Sequence, residues 1–173
     1  MMYVSLTCAV SLAAVFGHAG LGKARDRKGF EKSIRDLDWF PPGVVPTVAR
    51  SVAAMELLVV LAFAASPVAG PKAAVVGFSG ALTLLIGFTG VIVLALKRGV
   101  RARCNCFGTA GAEYSLRHVV RNSLLAGMAV TGVLTAGTDH RAHISGMTLA
   151  ILTGLIIAGL TVAMDDLLGL FRM

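Results

Sequence analysis

Five long apolar runs dominate the sequence and restrict the folds that it can adopt. They cover about 3–21, 47–66, 72–96, 116–136 and 146–164. At a rise of 1.5 Å per residue, a helix of about 20 residues crosses a hydrocarbon core of roughly 30 Å. Only 14% of the residues are charged, whereas soluble domains contain about 25%. The runs therefore predict an all-α integral membrane protein, a bundle of four to five transmembrane helices, in which the fourth run is the most polar at its start.

The connections between the runs predict a single polytopic domain over residues 1–173. No repeat, low-complexity tract or flexible linker separates the runs, and the longest connection lies between the first and the second. In that connection Phe30, Ile34 and Leu37 recur at helical spacing, and Trp39 follows them. This pattern favours a short amphipathic helix at the membrane interface, with the indole ring at headgroup level. A plain polar loop is the alternative.

The basic residues are distributed unevenly between the connections, and this predicts an orientation. Positions 23, 25, 27, 28, 32 and 35 lie in the first connection, and positions 97, 98, 101, 103 and 117 lie between the third and fourth runs. The second and fourth connections contain Lys72 and Arg141. Connections rich in Lys and Arg tend to remain in the cytoplasm. We therefore predict a multi-pass protein of the inner (plasma) membrane, with the N-terminus outside and both basic connections at the cytoplasmic face.

The net charge of +7 has a simple interpretation in such a protein. Basic residues next to membrane helices bind anionic lipid headgroups. The lipid bilayer is therefore the expected partner, and the charge gives no reason to expect binding to nucleic acid.

Small residues recur at intervals of four in the last two runs. Membrane helices associate through such residues, because they let two backbones approach closely. We therefore predict two packing faces, which serve contacts within one chain or in a homo- or hetero-oligomer. They are Gly146, Ala150, Gly154 and Ala158 in the fifth run, and Ser123, Gly127, Thr131 and Thr135 in the fourth.

Glu56 lies near the centre of the second run, where an ionisable group is costly and usually faces the bundle interior. Arg50 is six residues earlier, so the two side chains project about 120° apart on a helix and do not pair. Candidate partners are His18, His118 and Arg121, or Glu56 is a protonated carboxyl that is hydrogen-bonded within the bundle. Its role is structural or functional, for example in proton handling or in transport of a small solute.

Cys104 and Cys106 lie one residue apart, between Arg101 and Arg103 on one side and Phe107–Gly108 on the other. In a helix such residues point about 200° apart, and in a strand their Cα atoms are near 7 Å, at or beyond the limit for a disulfide. A turn could join them in a small, strained ring that is easily reduced. The arginines would favour the thiolate, which is the attacking form. The motif thus favours a dithiol that is made and broken.

Two alternatives to redox exchange remain open for these cysteines. Neighbouring thiolates also suit a soft metal such as Cu(I) or Zn, but a closed zinc site needs four ligands. The remaining cysteine, Cys8, is predicted near the opposite membrane face as a small packing residue, so we predict no metal site. The other alternative is a pair of buried structural thiols.

Several short motifs together resemble the MauE family, the methylamine-utilisation membrane proteins, within the wider DoxX-like group. The similarity covers about the first two-thirds of the chain, and the Cys-x-Cys-Phe-Gly element in a basic loop is its most specific part. The motifs are Gly22-Lys-Ala-Arg-Asp26 with Gly29-Phe30, Ala49-Arg50 through Glu56-Leu57, Arg98-Gly99 followed by Cys104-Asn-Cys-Phe-Gly108, and Arg121-Asn122.

The resemblance implies a function as well as a fold. The family has four to five helices, is associated with disulfide formation in a periplasmic dehydrogenase subunit, and works beside a thioredoxin-like partner. By this resemblance Cys104 and Cys106 would be the exchanging pair. The residues that would shape the site are Glu56, Arg50, Arg121 and Asn122.

We therefore expect a membrane thiol–disulfide oxidoreductase that exchanges electrons with a thioredoxin-like protein and supports disulfide formation or maturation of an exported protein. The wider group's chemistry suggests a membrane quinone as second carrier, although no cofactor motif is present. A non-enzymatic protein that binds a soft metal or scaffolds a maturation complex is the alternative. The family's periplasmic role conflicts with a cytoplasmic cysteine loop, unless the loop dips into the bundle, the charge rule fails or the partner differs.

Overall fold

The structure is a computed structural model that describes residues 1–99, 103–104, 112–113, 115–137 and 143–170, with 103–104, 112–113 and 165–170 described by their backbone. It is helical apart from one two-residue antiparallel β-pair. The elements are α1 (Met2–Arg25), α2 (Arg27–Arg35), α3 (Val45–Ala69), α4 (Pro71–Lys97), β1 (Arg103–Cys104), β2 (Ala112–Glu113), α5 (Leu116–Thr135) and α6 (Ile144–Leu170). The predicted all-α class is confirmed.

Four long helices form the bundle around the main hydrophobic core. Helices α1, α3, α4 and α5 contact one another in a ring, and α6 packs on the outside of α1. The core between them contains Leu12, Phe16 and Leu85, together with Phe63 and Phe78, whose rings meet edge to face with centroids 4.9 Å apart. Helix α1 is central because it contacts α3, α5 and α6.

Within the described part of the chain, four helices are long and apolar enough to cross a membrane. They are α1, α3, α4 and residues Ile144–Met164 of α6. The protein is therefore a multi-pass membrane protein with at least these four candidate spans. Helix α5 is not among them, because its first turns contain Arg117, His118, Arg121 and Asn122.

Helix α5 nevertheless presents an apolar face to its surroundings. Leu116, Val120, Leu124 and Leu134 are exposed. The polar side chains of His118, Arg121 and Asn122 are buried in the bundle. This is the arrangement of a helix that contacts lipid on one side and a polar bundle interior on the other. The fifth crossing stays a prediction, which this arrangement favours.

The second predicted span was expected to end before Pro67, but α3 continues to Ala69. A proline inside a helix leaves the carbonyl four residues earlier without its backbone donor. Here that carbonyl belongs to Phe63, and the hydroxyl of Ser66 donates to it at 2.7 Å. The hydroxyl replaces the missing bond, so the last turn continues. Gly70, with φ of 77°, then makes the sharp turn before Pro71 opens α4.

One of the two predicted small-residue faces packs within the chain. Ala150 and Ala158 of α6 are buried, and a Cβ atom on Gly154 would lie 2.8 Å from the Thr7 carbonyl oxygen of α1. The α5 series differs, because its members Gly127 and Thr131 are exposed on the outside of the bundle. The α6 series therefore forms the contact between α1 and α6.

The predicted amphipathic helix is present as α2 and folds back onto the bundle. Phe30 and Ile34 pack against Val45 and Ala49 at the start of α3. Asp26 caps the helix by accepting a hydrogen bond from the Gly29 amide at 3.0 Å. Just beyond α2, Leu37 and Trp39 pack against the last turns of α4. The polar connection thus covers one end of the bundle.

Candidate functional site

A buried ion pair lies inside the bundle between α1 and α3. The Lys23 ammonium donates to Oε1 of Glu56 at 2.6 Å, and the two side chains are 2% and 1% exposed. Ions that are removed from water lose several kcal/mol of hydration each, and this loss is offset only when they are paired with good geometry. Glu56 was expected to need a partner from another helix, and Lys23 is that partner.

This partner differs from the candidates that the sequence suggested. The first span was expected to end at about Leu21, with Lys23 in the connection, but α1 continues to Arg25. The buried face of α1 includes Val15, Ala19 and Lys23 at intervals of four residues, so the helix carries the lysine into the bundle. That spacing is the signal that sequence reasoning missed. His18, one of the expected candidates, lies on the exposed side of α1.

Aromatic rings and a second cation surround the pair. The Lys23 ammonium lies 5.3 Å from the centre of the Phe30 ring and 5.5 Å from that of Phe88, within the range of cation–π attraction. The Arg121 guanidinium of α5 is near enough to repel Lys23. Lys23 is thus attracted by Glu56 and repelled by Arg121, and apolar side chains complete the shell.

A small cavity of about 30 Å³ opens beside the ion pair. Its polar lining comes from Lys23, Glu56, Arg121 and Asn122, and its apolar lining comes from α1, α4 and Leu125 of α5. Among the residues that the structure describes, Oε2 of Glu56 is buried without a hydrogen-bond partner. A cavity of this size admits about one water molecule, and water needs polar partners such as these. It is too small for the ring of a quinone.

The other polar residues of α5 have different surroundings. His118 is buried, and its Nδ1 atom accepts a hydrogen bond from the Ser115 amide at 3.3 Å and lies 3.1 Å from the Ser115 hydroxyl. This reciprocal contact caps the first turn of α5. Arg121 and Asn122 follow one turn later and reach the cavity. Arg50 is exposed on α3 and lies outside this lining.

The described backbone places Cys104 at the same end of the bundle as the ion pair. Cys104 is opposite Ala112 and Arg103 is opposite Glu113 in the antiparallel β-pair, and β1 lies beside α2. Helix α2 in turn packs its Phe30 ring against Lys23. Cys106 and Arg101 lie outside the described residues, as do the side chains of Cys104 and Arg103.

The third cysteine is far from this end. Cys8 is a free thiol that is buried in the main core. It precedes Lys23 by fifteen residues on α1, which at 1.5 Å per residue is about 22 Å along the helix axis. Among the described side chains, no three His, Cys, Asp or Glu residues lie close enough together to hold a metal ion.

Comparison with known families gives a match. The model of a family described as methylamine utilisation protein MauE matches residues 1–135. The matched segment ends with the last residue of α5, so it contains Lys23, Glu56, Cys104 and Arg121, whereas α6 lies beyond it. Comparison with curated proteins and with solved structures finds no match.

Proposed function

The chain belongs to the MauE family of methylamine utilisation proteins, and from this premise we propose that it is a membrane thiol–disulfide oxidoreductase. Cys104 and Cys106 are the exchanging pair, and a thioredoxin-like protein is the partner. The exchange supports disulfide formation or maturation of an exported protein.

The observation that carries this proposal is the position of Cys104 in the β-pair. The strands run antiparallel with Cys104 opposite Ala112, and β1 lies beside α2 at the basic end of the bundle. A disulfide between cysteines two apart needs a turn, and paired antiparallel strands occur where a chain turns back. A soluble partner can approach the end of a bundle, whereas lipid covers its sides.

The exchange would proceed in two displacements. A thiolate of the partner attacks one sulfur of the Cys104–Cys106 disulfide, and a mixed disulfide forms as the ring opens. The partner's second thiolate then releases the reduced pair and closes the partner's own disulfide. Arg101 and Arg103 favour the thiolate forms through their charge. A membrane quinone is the proposed second carrier, and the volume of the Glu56 cavity argues that its ring binds elsewhere.

The proposed location is the inner membrane, with the basic connections in the cytoplasm. The exposed basic residues Arg25, Lys28 and Lys32 at the end of α1 and on α2 support this orientation, because positive residues are retained on the cytoplasmic side. Lys97 and Arg98 lie at the same end of the bundle, after α4.

Thiol trapping in intact cells tests the proposal. Cells are quenched with acid and alkylated, and the mass of the peptide that contains Cys104 and Cys106 is measured. We expect a mixture of dithiol and disulfide that changes with the redox state of a thioredoxin-like partner, and a trapped mixed disulfide with a partner variant whose second cysteine is replaced by serine. The Cys8→Ser variant is the matched control and should behave as the wild type.

Two results would contradict the proposal. One is a pair that stays fully reduced under oxidising challenge. The other is stoichiometric copper or zinc in the purified protein that is lost in the double variant Cys104→Ser, Cys106→Ser, which would favour the soft-metal alternative.

A further inference from the structure

We propose that the Lys23–Glu56 pair is a proton-exchange site, which gives a proton to the leaving cysteine sulfur when the Cys104–Cys106 disulfide is reduced and takes one back from the partner's second thiol. This inference rests on the proposed function, and it assigns the proton path of that reaction to a buried site on α1 and α3. Three features of the described residues support it.

The first feature is the geometry of the carboxylate. Oε1 of Glu56 accepts a hydrogen bond from the Lys23 ammonium at 2.6 Å. Oε2 is buried at the cavity and has no hydrogen-bond partner among the described residues. A single water molecule in the cavity could donate to Oε2 and contact Asn122 at the same time. The pair thus has one short internal contact and one open acceptor for proton transfer.

The second feature is the balance of charge around Lys23. Burial and the neighbouring Arg121 oppose the ammonium charge, whereas Glu56 favours it. The side chains that face the pair from α2 and α4 are Phe30 and Phe88, which are uncharged. After loss of a proton, a neutral Lys23 amine remains hydrogen-bonded to the Glu56 carboxylate. Both protonation states therefore keep the contact between α1 and α3.

The third feature is the position of the pair relative to the cysteine loop. Lys23 lies in the last turn of α1, and α2 begins at Arg27. Helix α2 contacts the pair through Phe30 and also lies beside β1, which contains Cys104. The proton site and the exchanging sulfur are thus on elements that share α2 as a neighbour.

Reduction of the Cys104–Cys106 disulfide by the partner's dithiol proceeds in the following order. The partner's first thiol loses its proton to water, its thiolate forms a bond to one cysteine sulfur, and the Cys104–Cys106 bond breaks. The leaving cysteine sulfur takes its proton from the Lys23–Glu56 pair. The partner's second thiol then gives its proton to the Lys23–Glu56 pair. The resulting thiolate displaces the other cysteine, which is protonated from water. Two electrons pass from the partner's dithiol to the Cys104–Cys106 pair.

The variant that tests this inference is Lys23→Arg. Arginine keeps the positive charge and can still bind the Glu56 carboxylate, but it does not give up a proton in proteins. The reaction is reduction of the Cys104–Cys106 disulfide in the purified full chain by dithiothreitol, followed by rapid alkylation over a range of pH. We expect the rate at neutral pH to fall on the order of 100-fold, the usual range for loss of an acid–base group, and a titration in the wild-type pH profile to disappear.

Two further variants separate this result from a loss of folding. In Lys23→Met with Glu56→Met, apolar side chains replace both charges, a change that buried ion pairs tolerate, and the same loss of rate is expected. Arg27→Gln removes an exposed cation that pairs with Glu31 at 3.2 Å, and it should leave the rate and its pH profile unchanged.

The possible failures are distinguishable. If Lys23→Arg and the double methionine variant both keep the wild-type rate and pH profile, the proton-exchange role is wrong and the redox function stands. If the wild-type chain forms no Cys104–Cys106 disulfide that dithiothreitol can reduce, the proposed function itself is wrong.

Discussion

At the scale of single residues, the structure depends on two charges that stabilise each other. Lys23 and Glu56 are almost fully buried, so each is costly in the bundle without the other. In the Arg27–Glu31 pair on the neighbouring helix, by contrast, the arginine side chain is 52% exposed. Surface pairs of that kind contribute little, because water solvates each ion separately. The two pairs therefore offer a matched comparison of buried and exposed ion pairs.

We expect Lys23→Ala to destabilise the protein strongly, because it leaves the Glu56 carboxylate buried without a counter-charge. Breaking a buried pair costs about 3–5 kcal/mol, whereas the matched change Arg27→Ala should cost less than about 1 kcal/mol. The measurement is the midpoint of thermal unfolding in detergent for both variants. Equal shifts in the two variants would show that the buried pair contributes no more than a surface pair.

The polar cluster was only partly predictable from the sequence. Glu56 stood out because an acidic residue near the centre of an apolar run is rare. Lys23 did not, because it opens a series of basic residues that is typical of a connection at a membrane surface. The distinction between a surface lysine and a buried one depends on where α1 ends and which face meets α3. The end of α1 and its face toward α3 are determined by packing, so a local sequence pattern does not predict them directly.

At the scale of elements, the small residues of α6 determine how it docks on α1. Gly154 lies against the backbone of Thr7 and the side chain of Val10, where a Cβ atom would be 3.0 Å or less from both. On the same helix Gly159 has open space around it. Close approach at Gly154 allows the extensive van der Waals contact on which helix association in membranes depends. The sequence predicted this packing face, although it could not tell whether the face served one chain or two.

We expect Gly154→Val to loosen α6 from α1, because the added methyl groups overlap the α1 backbone. Overpacking of this kind costs about 1–3 kcal/mol. Cys8 provides a local reporter, since it lies in the groove between α1 and α6 beside Ala150. In a background with Cys104→Ser and Cys106→Ser, the variant should show faster alkylation of Cys8 and a lower unfolding midpoint. Gly159→Val is the matched control, and the same acceleration there would contradict a specific contact at Gly154.

Helix α5 is a case that mean hydropathy does not describe well. Its length and its leucines predicted a membrane helix, but its first turns contain too many polar residues for a span defined by hydropathy. Orientation explains this contrast, since His118, Arg121 and Asn122 are buried and the large exposed side chains are apolar. Hydropathy averages both faces of a helix, so it cannot separate a polar core side from an apolar lipid side. The cap between Ser115 and His118 was likewise not predicted.

At the scale of the whole molecule, the four-helix ring has two chemically different ends. One end contains α2, the basic residues after α1 and α4, and the β-pair with Cys104. At the other end the Tyr3 hydroxyl accepts a hydrogen bond from the His143 amide at 3.0 Å, and Gly137 lies beside Pro71. Under the proposed function, a soluble redox partner would have to reach the first end. The side of the membrane that this end faces therefore decides which compartment the protein serves.

We expect the basic end to face the cytoplasm, and single cysteines at exposed positions test this prediction. Lys28→Cys marks the basic end, whereas Lys72→Cys and His143→Cys mark the other end, each introduced into a background in which Cys8, Cys104 and Cys106 are replaced. A membrane-impermeant maleimide applied to intact cells should label positions 72 and 143, and it should label position 28 only after permeabilisation. The physical reason is that basic residues are retained on the cytoplasmic side during insertion.

Each alternative labelling pattern has a distinct meaning. Labelling of position 28 alone in intact cells would reverse the orientation and place Cys104 on the outer side, where the periplasmic role implied by the family resemblance lies. Position 72 is at the start of α4, and position 143 follows α5 in the sequence. Labelling of position 72 without position 143 would therefore show that α5 does not cross the bilayer. Joint labelling of 72 and 143 requires an even number of crossings between them. Because α4 is a candidate span, α5 must then cross as well, and its outer face would be in contact with lipid.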